Sequence, residues 1–253
     1  KYNCLKYKRN MRTPLILLCT LMFLAGCAST PEETQVSDKQ QLNEAMTSLR
    51  DGKNAQSIAQ FEAIIDKAEN EQTKDQAEIG LAYAHYVNND FDEAFSRVQR
   101  FIEERPTHPQ LDYVYYLRGL IRMKQGEVHL QRLLAAKAPT SDYPTELREA
   151  YGYFSELIKF FPQSKYLDQT YQHIDAIRVR LAKYELHLAH NQLALGNHKE
   201  AAHHAEYVNK NYGDPQSRKY ALTIMVKAYK ALDLPQQLNA AERQLRELNY
   251  QQE

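Results

Sequence analysis

The groups in this sequence that could hold a metal or move protons are nine histidines and 32 acidic residues. Their spacing decides what they can do. His203 and His204 are adjacent, so on a helix their side chains diverge by about 100° and do not readily share one ion. His187 and His190 are three apart and can face the same way. No HExxH, glycine-rich phosphate loop or nucleophile elbow accompanies them. The carboxylate pairs Glu32-Glu33 and Glu103-Glu104 fall in a polar stretch and at a helix end, where solvation accounts for them. No catalytic constellation emerges, so no enzyme, metal site or cofactor is expected. Tyrosine and arginine are more suggestive, with 18 tyrosines and no tryptophan. Asp112-Tyr113-Val114-Tyr115-Tyr116 places aromatics on several faces of one helix, with Arg118 close behind. Tyrosine buries a large area and keeps a polar tip, which suits a recognition surface and a wedge between core helices equally. Arg118 can hold a partner's carboxylate or pair internally with Asp112 or Glu149.

One cysteine carries a different chemistry. Leu15 to Ala25 is apolar and follows Lys6, Lys8, Arg9 and Arg12, the pattern of a signal peptide. It is about half the roughly 20 apolar residues that cross a bilayer. It ends in Leu24-Ala25-Gly26-Cys27, which looks like a lipobox: small residues fit the signal peptidase, and the Cys27 thiol takes a diacylglycerol. An ordinary cleavage site before a cysteine is the plainer alternative. Ala28, where an aspartate would favour inner-membrane retention, favours the outer membrane. Met11 begins a complete short signal peptide, so residues 1–10 read as an upstream extension of residues 1–26. Cleavage removes five basic residues and no acidic ones, leaving 27 basic against 32 acidic, about −5. That balance argues against nucleic acid, whose binding leans on clustered positive charge. Cys4 and Cys19 leave as well, so no disulfide within the mature chain is expected.

The elements that would position these groups are helices. Residues 27–39 are polar and read as a tether. From Gln40 onward apolar residues recur at helical spacing, and the helices pair with a period near 34 residues, the signature of tetratricopeptide-type repeats. The expected fold is all-α, a superhelical solenoid of about five helix pairs. Repeats 1–3 span 40–165, repeats 4–5 span 166–248, and 249–253 is a tail. The turns fall at Asp51-Gly52-Lys53-Asn54, Asn88-Asn89-Asp90, Gly196-Asn197-His198 and Asp233-Leu234-Pro235. The second-helix places are taken by Ser57, Phe61 and Ile64; Ala94, Val98 and Phe101; Ala150, Phe154 and Leu157; and Ala201, Ala205 and Val208. In the third repeat Gln125-Gly126 interrupts the first helix, and an insertion at about 125–145 is expected as a loop on one face. Such a loop serves as a binding face or as structural filler.

Arg105-Pro106-Thr107-His108-Pro109, then Asp112 to Leu120, resemble the third-repeat entry of the BamD (ComL) family of outer membrane assembly lipoproteins. Arg180-Leu181-Ala182-Lys183-Tyr184-Glu185 resembles the same family at its fourth repeat. The likeness runs from Cys27 to Leu248. The first-repeat turn departs from it, being a residue short and lacking a large aromatic beside Asn54. The resemblance implies a lipoprotein on the periplasmic leaflet of the outer membrane, anchored by acylation of Cys27. It also implies the periplasmic domain of a β-barrel insertase, accessory assembly lipoproteins and unfolded outer membrane proteins as partners. The family member is a scaffold and does no covalent chemistry; an accessory lipoprotein lies along it through an extended segment. N-terminal repeats are associated with substrates and C-terminal repeats with the insertase. Tyr113, Tyr116 and Arg118 are therefore expected to contact substrate, and Arg178, Lys183, Glu185 and Arg218 to dock the partner.

Overall fold

The structure is a computed structural model and describes residues 37–135, 142–212 and 214–250. The expected signal peptide, Cys27, the expected tether up to residue 36 and the last three residues lie outside these. Ten helices follow one another: α1 (Asp38–Arg50), α2 (Asn54–Lys67), α3 (Glu71–Val87), α4 (Phe91–Glu104), α5 (Leu111–Ala135), α6 (Thr145–Phe160), α7 (Leu167–Ala194), α8 (His198–Asn211), α9 (Pro215–Ala231) and α10 (Pro235–Tyr250). Among the described residues there is no strand.

Four of the five intra-pair turns are built alike. Gly52, Asn89, Gly196 and Asp233 each have positive φ, the left-handed conformation that ends a helix. In each turn the next residue donates its N–H five residues back: Lys53 to Ser48 O, Asp90 to His85 O, Asn197 to Gln192 O and Leu234 to Tyr229 O, at 2.9–3.0 Å. The left-handed residue donates three back, to Leu49, Tyr86, Leu193 and Lys230. This is a Schellman motif, which satisfies the last carbonyls of the first helix and aims the second back along it.

Four of the five second helices bury one row at i, i+4 and i+7, the spacing of a single helical face, and α10 buries Ala241 and Leu248 of such a row. Ser57, Phe61 and Ile64 form it in α2; Ala94, Val98 and Phe101 in α4; Ala150, Phe154 and Leu157 in α6; Ala201, Ala205 and Val208 in α8. All are buried. Every helix packs on its sequence neighbours. Beyond that, α1 meets α3, α3 meets α5, α5 meets α7 and α7 meets α9. Among the described residues no two even helices approach closely along their backbones. The odd helices therefore form the compressed side of a superhelical stack and the even helices the splayed side.

The third repeat corrects the expected loop. α5 continues through Gln125-Gly126 for 25 residues, and Leu130 and Leu133 in its extension are buried. Gly126 does not break the helix. A Cβ there would lie 2.8 Å from the Leu147 backbone nitrogen, so the glycine lets α6 close onto α5. Helix thus replaces loop up to Ala135; residues 136–141 lie outside the described ones. The returning strand of chain is tied down firmly. The Tyr184 hydroxyl donates to Asp142 O at 2.6 Å, and the Tyr143 hydroxyl donates to Glu185 at 3.0 Å. His129 bridges Asp142 and Glu146, with each nitrogen 2.9 Å from a carboxylate.

Burial works against protonation of His129, but hydrogen bonds to Glu146 and Asp142 outweigh it and raise its pKa. The His129 hydrogen bond and the Tyr143 N–H lower that of Asp142. A raised histidine pKa adds stability below the unfolded value, about 6.5, and loses it as pH climbs through the folded value. A lowered aspartate pKa does the reverse at the acid end. The clamp is strongest in between, in mildly acidic to neutral solution. Hydrogen exchange at residues 142–147, corrected for intrinsic rates, is expected to accelerate as pH rises past that of His129. His129→Gln should abolish the dependence; an unchanged profile would show that His129 does not hold this segment.

Candidate functional site

The Tyr113–Arg118 cluster is core. Tyr116 is only 9% exposed, stacks on Tyr166 at 4.9 Å and 13°, and shares a hydrogen bond with His173 Nε2 at 3.0 Å. Burial lowers the pKa of His173 and raises those of Tyr113 and Tyr116, favouring the neutral forms throughout. Tyr113 is half-buried, with its ring 5.5 Å from that of Tyr166. Arg118 is 6% exposed. Its guanidinium lies over Tyr115 and Tyr153, at 4.5 and 4.2 Å. It donates to Gln99 at 3.0 Å and pairs with Glu156. The expectation that Tyr116 and Arg118 meet a substrate is corrected: α5 spends them on its neighbours. Arg118 pairs with neither Asp112 nor Glu149; Arg122 takes Glu149, at 3.0 Å, and lies over Phe95. Together the two arginines fill the gap between α4 and α6.

The expected docking residues also divide. Glu185 is buried and accepts from Tyr143 and from His204, at 2.8 Å, so it is internal as well. Arg218 is partly buried and donates to Asn209 at 3.4 Å. Lys183 is exposed, and Arg178 is partly exposed.

Lys183 lines a broad apolar opening on the odd-helix side that the sequence did not announce. It is a groove of about 740 Å³ between the end of α5, α7 and α9. Leu134, Val179, Leu186 and Ile224 provide apolar walls, and Tyr220 stands 57% exposed over them. His187, His190 and Asp214 add polar points along the lining. Val179, Lys183, Leu186 and His190 repeat at i, i+4, i+7 and i+11 on α7, and Tyr220 and Ile224 at i and i+4 on α9. On α7 this row runs beside the buried stripe, with Leu186 packed against the core; on α9 Tyr220 is exposed while Ile224 belongs to the core as well. The groove's sequence signal was the apolar members of these rows, Val179 and Tyr220, left exposed outside the buried stripe. His187 shares a hydrogen bond with Asn191 at 3.0 Å. Among the described residues no three histidine, cysteine or acidic side chains gather as a metal site, and no helix is long and apolar enough to cross a membrane.

A family model described as an outer membrane lipoprotein, YfiO, matches residues 34–245, most of the chain. The chain belongs to the YfiO family. Its relatives include proteins named outer membrane protein assembly factor BamD. The one from Vibrio cholerae is 29% identical over 92% of this chain and 96% of that protein. The one from Neisseria gonorrhoeae is 27% identical over 95% and 92%. The one from Pasteurella multocida is 25% identical over 89% and 86%. Leu24 to Cys27 lie outside both the matched residues and the described ones.

Proposed function

We propose that this chain is a scaffold subunit of the machinery that folds and inserts β-barrel proteins into the outer membrane. The observation that carries the proposal is the family match over residues 34–245, joined by assembly factors aligned along nearly their whole length. In this reading a lipid on Cys27 holds the chain at the periplasmic face of the outer membrane. The C-terminal repeats dock on the periplasmic domain of the barrel insertase. Accessory assembly lipoproteins and unfolded barrel proteins engage the chain as well, and no covalent step falls to it. Stacked helix pairs suit that work because they present a rigid, persistent surface. The groove between α7 and α9 fits the apolar edge of an extended or amphipathic segment, with Lys183 set to meet an acidic residue beside it. Contact with unfolded substrates then falls to surface other than Tyr116 and Arg118.

Val179 and Tyr220 are exposed, so charging them tests the groove without opening the core. Purification of the chain from detergent-extracted outer membranes is expected to bring down the barrel insertase. Val179→Glu with Tyr220→Glu is expected to cut recovery about tenfold or more, since burying an unpaired carboxylate costs more than 1.4 kcal/mol. The melting temperature should stay within a few degrees. Recovery of a different complex without a barrel insertase would contradict the proposal.

A further inference from the structure

A second cavity lies where α6, α7 and α8 meet, on a face of α7 other than the groove face. It measures about 410 Å³ and is lined by Arg148, Tyr151, Arg178, Leu181, Tyr207 and Tyr212. The molecule itself shows which chemistry suits such a place. In the preceding gap, between α4 and α6, arginines from α5 lie against aromatic rings and are completed by Glu156 and Glu149. The cavity between α6 and α8 has the arginines and the rings, and no acid lines it; the nearest carboxylates are Asp175 and Asp214, in an adjoining opening that shares Arg178 and Tyr212, and Glu185, which Tyr143 and His204 already hold. Arg148 lies over the Tyr143 ring at 4.2 Å, and Arg178 donates to Asn211 O at 3.4 Å. Neither makes an ion pair among the described residues. Tyr151 and Tyr207 keep exposed faces, while Tyr212 and Leu181 close the floor.

We infer that this cavity binds a glutamate side chain of a partner polypeptide, flanked by apolar residues, which takes the place that Glu156 and Glu149 occupy one repeat earlier. Guanidinium forks match carboxylates with paired hydrogen bonds, and the tyrosine rings offer apolar contact to the neighbouring residues. A bare inorganic anion would leave those rings unused. The cavity and the α7–α9 groove share no lining residue, although an opening lined by Arg178, Val179, Tyr212 and Asp214 joins their edges, and the inference does not depend on the function proposed for the groove.

The test is isothermal titration of the full chain in detergent with two terminally blocked pentapeptides. One carries a glutamate between phenylalanine and leucine, and the other carries glutamine there. The glutamine peptide is expected to bind about tenfold or more weakly, the loss of one charge-assisted pairing. Arg148→Gln, at an exposed position, and Arg178→Lys, which keeps the charge but loses the fork, should each weaken the glutamate peptide severalfold. Tyr220→Ser in the groove should leave its affinity unchanged. Equal binding of both peptides, binding indifferent to Arg148, or no binding of either peptide would overturn the inference.

Discussion

Phe154→Ala is expected to lower the unfolding free energy by about 3–5 kcal/mol, the range for emptying a fully buried aromatic site. Phe154 is inaccessible to solvent, and its ring lies against Gly119 so closely that a Cβ on that glycine would enter the ring edge. Gly119→Ala alone should therefore cost about 1–3 kcal/mol through overpacking. In the Phe154→Ala background the same substitution should change sign. The ring is then gone, and alanine is favoured over glycine in a helix by about 1 kcal/mol. Such a reversal in a double-mutant cycle, followed by urea unfolding and helical circular dichroism, would establish the contact directly. Simple additivity would mean that ring and glycine do not meet. The third repeat sits mid-stack, and stability here passes only between neighbours. Weakening it should also broaden the transition, as α1–α4 and α7–α10 begin to unfold apart.

Arg118→Ala is expected to cost about 2–3 kcal/mol, combining lost stacking between two rings with a broken partly buried pair. The estimate stays below that for a fully buried pair because the Glu156 side chain is 44% exposed and water can take it over. Arg118→Met keeps much of the stacked volume and should recover part of the loss. Arg118→Lys should recover little, since a single ammonium cannot reach Gln99 and Glu156 while lying flat between Tyr115 and Tyr153. Thermal melts and urea titrations of the three variants give the ranking. A destabilisation under about 0.5 kcal/mol for Arg118→Ala would mean that this stack does not hold α5 to its neighbours.

These two sites also mark where sequence reasoning stops. The Schellman turns were legible because Gly52, Asn89 and Gly196 are residue types that take positive φ cheaply, and the signal is local. The second-helix rows were legible because i, i+4, i+7 spacing is local too. For Arg118 internal pairing was legible as one alternative, but Asp112 and Glu149 were the wrong partners. What buries it, Gln99 and Glu156, lies 19 and 38 residues away. Gly126 was misread as a breaker for the same reason: its cause is Leu147 on the next helix. The groove needed two helices at once, since Val179 and Tyr220 are unremarkable singly and form a surface only when α7 and α9 pack. The lipidation expected at Cys27 falls outside the described residues, so the fold bears on it in neither direction.

The most direct test of the assembly role is to deplete this chain in its own cells and quantify several β-barrel proteins in the outer membrane as it disappears. The account predicts that newly made barrels fall as the chain falls, with unfolded precursors collecting in the periplasm and recovery on restoring the intact chain. Barrel levels that hold steady through full depletion would contradict it.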